Sequence, residues 1–133
     1  MTDAALPRPA AGWSARLYST EERGSSMALR VFGSRFLAYM DDYVAALGYE
    51  SEFRLTITVL EGADAGRRET VEIAMVELRP GLFFNTWRER CGTVVMQIAD
   101  FPNGVVRAVF VPAGGEAVIR SGTLRLLGTD RDD

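Results

Sequence analysis

The stretch Gly81-Leu82-Phe83-Phe84-Asn85-Thr86-Trp87-Arg88-Glu89-Arg90-Cys91-Gly92, GLFFNTWRERCG, is apolar and aromatic for most of its length and ends in a charged cluster around one glutamate. Successive side chains of a β-strand point to opposite faces. On that period Leu82–Glu89 divides into Phe83, Asn85, Trp87 and Glu89 on one face and Leu82, Phe84, Thr86 and Arg88 on the other. Arg79-Pro80-Gly81 before it and Arg90-Cys91-Gly92 after it supply turn chemistry, so the stretch is one strand held between tight turns.

The same pattern recurs on both sides of it. From Met27 onward, β-branched and aromatic runs alternate with turn residues, which predicts strands over Ser34–Tyr39, Tyr43–Tyr49, Phe53–Leu60, Glu69–Leu78, Leu82–Glu89, Thr93–Ala99, Val105–Val111 and Val118–Leu127. Eight short antiparallel strands joined by tight loops hide their edges by closing on themselves, and eight strands leave room for core side chains or one small ligand. The expected fold is therefore all-β, a small eight-stranded up-and-down barrel over residues 27–128, with a two-sheet sandwich of the same strands as the alternative. Residues 1–26 carry Pro7, Pro9, Gly12, Gly24 and Ser25-Ser26 without sustained periodicity and are expected to be an irregular or partly helical arm. Met27–Phe32 is expected to plug one barrel end, and residues 129–133 to form an acidic tail.

Composition removes several chemistries. All 15 Lys and Arg positions are arginine and the chain has no histidine, so lysine Schiff-base and Ser-His-Asp chemistry have no residues to use. With a single cysteine, Cys91, and no histidine, a zinc or copper site is not expected, and neither a metal nor a cofactor is implied. Cys91 itself is expected to be a turn residue. The net charge of −3 and the scattered arginines argue against a nucleic-acid partner. Apolar runs of about five residues fall far short of the ~20 that cross a bilayer as a helix. The first residues show no cationic start followed by an apolar block, so a cytoplasmic protein is expected.

If the Trp87 face points inward, it carries Asn85 and Glu89 into an aromatic-walled interior, the usual build of a small-molecule pocket. A carboxylate held against Trp and Phe loses hydration and can exchange a proton near neutral pH. The alternative for Glu89 is an exposed strand end paired with Arg88 or Arg90. Tyr39, Tyr43 and Tyr49 suit either packing or hydrogen bonding to a ligand, and Asp41-Asp42 reads as a hairpin turn. Gly62-Ala63-Asp64-Ala65-Gly66-Arg67-Arg68 has phosphate-loop glycine spacing but not the Lys-Ser/Thr ending, and is expected to be a hairpin loop. Glu69, Glu72 and Glu77 are expected to be solvated outward positions. Arg54, Arg107, Arg120 and Arg125 are candidate anchors for an anionic ligand if any of them points inward.

The ordered set Leu60-Glu61-Gly62, Ala65-Gly66, Arg79-Pro80-Gly81-Leu82-Phe83, Thr86-Trp87-Arg88-Glu89, Gly92-Thr93-Val94-Val95, Asp100-Phe101, Asn103-Gly104 and Gly122-Thr123-Leu124 resembles the MoaF-like domain, named after a molybdenum-cofactor biosynthesis protein. The resemblance implies a lipocalin-like (calycin) barrel. More distantly, Gly81-Leu82-Phe83, Trp87-Arg88-Glu89 and Arg90-Cys91-Gly92-Thr93 resemble the phenolic acid decarboxylases, cofactor-free barrels. That likeness implies a catalytic role for Glu89. A gapless match places Leu37 and Tyr39 on the decarboxylases' Tyr-x-Tyr pair and Thr58 on their substrate-gripping arginine, which removes the main anchor for a carboxylic acid.

Together these readings predict a barrel that binds a small apolar or aromatic metabolite. Catalysis is assigned to Glu89 and Tyr39, and ligand binding to Phe83, Asn85, Trp87 and Thr58. The expected activity is a cofactor-independent lyase, isomerase or cyclase reaction on a phenolic or polyketide-like molecule. The alternatives are a non-catalytic ligand-binding barrel, or a filled barrel that works through its surface, as in a homodimer.

Overall fold

The computed structural model describes residues 31–129, which form one closed antiparallel barrel. Its strands are β1 (Ser34–Met40), β2 (Val44–Ser51), β3 (Arg54–Glu61), β4 (Arg68–Arg79), β5 (Leu82–Arg88), β6 (Val94–Asp100), β7 (Val105–Val111) and β8 (Val118–Thr129). Each strand pairs with the next, and β8 returns to pair with β1, so the sheet closes and the sandwich alternative does not hold. The strands follow the expected runs to within a residue or two; β8 continues to Thr129, two residues beyond its expected end. The arm over residues 1–26, Met27–Arg30 of the expected plug and residues 130–133 lie outside the described residues.

Alternation along each strand builds the core. Phe36 and Ala38 of β1, Ala45, Leu47 and Tyr49 of β2, and Leu55, Ile57 and Val59 of β3 are buried, and the same face continues through Val71, Ile73, Phe83, Trp87, Val95, Ala99, Val106 and Ala108. One end of the barrel is filled. There Phe101, in the β6–β7 turn, packs against Phe36 at 4.7 Å, Tyr49 at 5.7 Å and Phe83 at 5.8 Å between ring centroids. Phe32 meets Phe83 edge-on at 6.4 Å, and Val31 is buried beside them, so the described part of the expected plug does pack at this end.

Above the aromatic cluster, Gln97 Nε2 on β6 donates to the Tyr49 hydroxyl on β2 at 3.2 Å, a bond between strands that are not neighbours in the sheet. It satisfies two polar groups that would otherwise lie unpaired in an apolar interior. Beyond this layer the core side chains become small, with Ala38 and Ala45 on neighbouring strands, and the interior opens. Closure also needs a residue without a side chain on β8. A Cβ at Gly122 would lie 2.2 Å from the Tyr39 carbonyl oxygen and 2.9 Å from the Met40 Cα, so β1 could not approach β8 as it does.

Candidate active site

The β1–β2, β3–β4, β5–β6 and β7–β8 connections gather at the open end, over a cavity of about 660 Å³. Its inner walls are apolar, with Leu47, Ile57 and Val59 opposite Trp87; Gln97 reaches it from the layer below and Tyr43 and Phe110 stand nearer the mouth. The charged rim comes from Asp42, Asp64, Arg67, Glu69, Glu89, Arg90 and Arg120.

Trp87 belongs to the inward face of β5, and Glu89, two residues on, keeps that direction just past the strand end. The turn holds its backbone on both sides: Glu89 N–H donates to the Thr93 carbonyl at 2.8 Å, and Gly92 N–H donates to the Glu89 carbonyl at 2.8 Å. The Glu89 residue is only 7% exposed. Trp87 Nε1–H donates to Glu89 Oε2 at 3.2 Å, and the Arg67 guanidinium lies 3.6 Å from Oε1. Burial pushes the Glu89 carboxyl above the usual carboxylate range. The Trp87 hydrogen bond and the charge of Arg67 pull it back, while Glu69 and Asp64 push it further up.

Glu69 stands beside it in a different setting. Its Oε1 accepts from Arg67 Nη1 at 2.8 Å and its Oε2 accepts a short hydrogen bond from the Arg90 backbone N–H, so both oxygens have close donors. Two carboxylates thus stand at one rim in different settings, one bonded at both oxygens and one raised by burial. Tyr43 adds a phenol pushed up to about 12 by burial, which stays protonated and able to donate at neutral pH.

The residues singled out from sequence are distributed unevenly. Trp87 and Glu89 line the cavity. Asn85 is fully buried on the same face, one step deeper, and neither of its amide atoms has a hydrogen-bond partner among the described residues. Phe83 belongs to the aromatic cluster at the closed end rather than to the cavity wall. Tyr39 does not reach the interior: β1 turns Phe36 and Ala38 inward, which leaves Tyr39 outside, 37% exposed, with the Arg125 guanidinium 5.7 Å from its ring centroid. Thr58 is outside for the same reason, because Ile57 and Val59 on either side of it fill the interior.

Glu69 and Glu77, expected to be solvated, are buried on the inward face that they share with Val71, Ile73 and Met75; Glu72 is exposed as expected. Of the four strand arginines, Arg120 reaches the rim, where Asp42 holds it through two hydrogen bonds of 2.8 and 3.0 Å, while Arg54, Arg107 and Arg125 are exposed. Arg67, which belongs to the expected hairpin loop, is the cation closest to the Glu69 and Glu89 carboxylates. The loop glycines place it there: Gly66 N–H donates to the Val59 carbonyl at 2.8 Å with φ +99°, turning the chain back so that Arg67 begins the return toward β4. Among the described residues no group of three or more His, Cys, Asp or Glu side chains could hold a metal ion.

A closed eight-stranded meander, aromatic at one end and hollow at the other, is a small up-and-down barrel of the kind that can hold one small molecule. The chain belongs to the MoaF-like family, whose model matches residues 32–125. It is similar to a solved structure described as "Crystal Structure of a putative beta-lactamase from Burkholderia vietnamiensis", with 24% identity and a TM-score of 0.69 over 72% of this chain and 94% of that one. At that identity the likeness shows the shared fold. No curated protein matches the chain at a significant level.

Proposed function

We propose that the barrel binds a small, largely apolar or aromatic metabolite in its open end and that Glu89 exchanges a proton with it as general acid/base. The observation that carries this reading is a carboxylate 7% exposed in the wall of a cavity of about 660 Å³, raised by burial and bonded to the indole N–H of Trp87. A carboxyl raised by burial keeps its proton to higher pH than a solvated one and can pass it to a bound molecule. Glu69 stays bonded and fixes Arg67, and the Tyr43 phenol is a donor for a carbonyl or hydroxyl near the mouth. Such a site suits a cofactor-independent lyase, isomerase or cyclase. β-Lactam hydrolysis of the serine–lysine or zinc type is disfavoured, because the chain has neither lysine nor histidine.

The Glu89→Gln variant tests the role of the carboxylate. It keeps shape and the Trp87 contact but cannot titrate. Loss of turnover by about 10²–10⁴-fold with retained ligand binding is expected for a general acid/base. Turnover of an identified substrate unchanged in Glu89→Gln would take Glu89 out of the mechanism. A cavity that binds small molecules without converting them, in wild type and variant alike, would instead mark a non-catalytic ligand-binding barrel.

A further inference from the structure

The charges around the cavity are unequal. Arg67 faces three carboxylates: Glu69 at 2.8 Å, Glu89 at 3.6 Å and Asp64 at 3.9 Å. Glu69 holds the guanidinium at hydrogen-bonding distance. Arg120, the other rim arginine with a charged partner, is held by Asp42 through both carboxylate oxygens. Arg90 gives its backbone N–H to Glu69, and the residue is exposed. Among the described residues Arg67 is therefore the cation that pairs with Glu89, and it does so from beyond hydrogen-bonding distance while committed to Glu69. Asp64, with 70% of its side chain exposed, is screened by water. Glu89, buried against the indole of Trp87, is not.

Because Arg67 is shared between Glu69 and Glu89, an ionised Glu89 keeps negative charge that attracts a further cation and repels a second anion. The walls beside it suit the same kind of guest. Trp87 and Tyr43 both line the cavity, and aromatic faces attract cations. Unpaired polar groups also lie below these walls. Asn85, fully buried one step below Trp87, keeps both amide atoms unpartnered among the described residues, and its partner across β6, Gln97, lines the cavity floor.

We propose that the cavity takes an organic cation, a protonated amine on an apolar or aromatic body, with its ammonium seated against Glu89 between the faces of Trp87 and Tyr43. The inference rests on the cavity being a small-molecule site and adds the charge of the molecule. A carboxylic acid seated beside Glu89 is the disfavoured guest, since Arg67 and Arg120 are already held, Arg90 is exposed at the rim, and its charge would add to that of Glu89.

Tryptamine, tryptophol and indole-3-propionate share one indolylethyl body and end in a cation, a neutral hydroxyl and an anion. Titration calorimetry of the full chain at low salt and neutral pH should rank them in that order, with tryptamine about tenfold tighter than tryptophol. In Glu89→Gln, tryptamine should fall to the affinity of tryptophol, and tryptophol should change by less than about twofold. Indole-3-propionate binding as tightly as tryptamine would overturn the proposal, as would a tryptamine preference that persists in Glu89→Gln. Equal binding of all three overturns the charge preference and leaves the cavity standing as a ligand site. Binding by none of them overturns both readings. The wild-type ranking decides the matter alone if the variant does not fold.

Discussion

At the residue scale, three buried polar groups, Glu89, Glu77 and Asn85, are placed where stability alone would not put them. Burial raises the Glu89 and Glu77 carboxyls above their ordinary 4.5, Glu77 being partly relieved by the Gly81 N–H that donates to its Oε2 at 3.0 Å. The folded barrel thus holds these protons more tightly than the unfolded chain does. Their contribution is fully present below 4.5 and is lost as pH rises through the raised folded values. Glu89→Gln cannot suffer that loss, so the excess of its Tm over wild type should widen as pH rises from below 4.5 and then level off. Thermal unfolding across that range checks it, and a gap that narrows with rising pH would contradict the burial of Glu89. Asn85 makes the parallel case for an uncharged group. Asn85→Val exchanges an unpartnered buried amide for an apolar, β-branched side chain suited to β5, and should stabilise the empty protein by about 1 kcal/mol. In a domain of this size that is a Tm gain of about 4–8 °C. A fall in Tm would show that the amide is needed by the fold itself.

At the scale of the strand, parity decides what each residue does. The two-residue period puts Asn85, Trp87 and Glu89 of β5 on one face, and closure of the barrel turns that face inward. Applied with equal strictness to β4, it would have found Glu69 and Glu77, since both are an even number of positions from Val71 and Ile73. Their charge argued for solvent, and the tertiary contacts overrode it: Arg67 and the Arg90 N–H meet Glu69, and the Gly81 N–H meets Glu77. On β1 the same period sends Tyr39 outward, because Phe36 and Ala38 are the residues that fill the core. The seam between β1 and β8 offers a direct test. Gly122→Ala forces a methyl group into the Tyr39 carbonyl and should cost about 3 kcal/mol. Gly48→Ala, whose added Cβ meets Arg35 Cγ at an ordinary 3.5 Å, should stay within about 0.5 kcal/mol of wild type. Equal losses from the two variants in denaturant unfolding would remove the close approach of β1 and β8 as the reason for glycine at 122.

At the scale of the whole molecule, the barrel separates stability from chemistry by height. The aromatic cluster around Phe101 closes one end and the rim of Glu69, Glu89 and Arg67 surrounds the other, with the Gln97–Tyr49 bond between them. Phe101→Ala should therefore cost about 3 kcal/mol in unfolding free energy while tryptamine affinity in the folded state stays within about twofold of wild type. Coupled loss of affinity in the folded variant would show that the two ends act as one unit. Eight strands, their turns and the division of β5 into two faces follow from the amino-acid sequence by itself, because alternation and turn chemistry are local properties of the chain. The MoaF-like resemblance is likewise carried by residues in order along it. Only the tertiary structure decides that Arg67 serves Glu69 more closely than Glu89, that Asp42 occupies Arg120, that Asn85 is left unpartnered and that Tyr39 and Thr58 face away. The pairings of Arg67 with Glu89 and of Arg120 with Asp42 join segments far apart in the chain. They depend on how the closed sheet brings charges and dipoles together across a low-dielectric interior, which no local pattern of residues records.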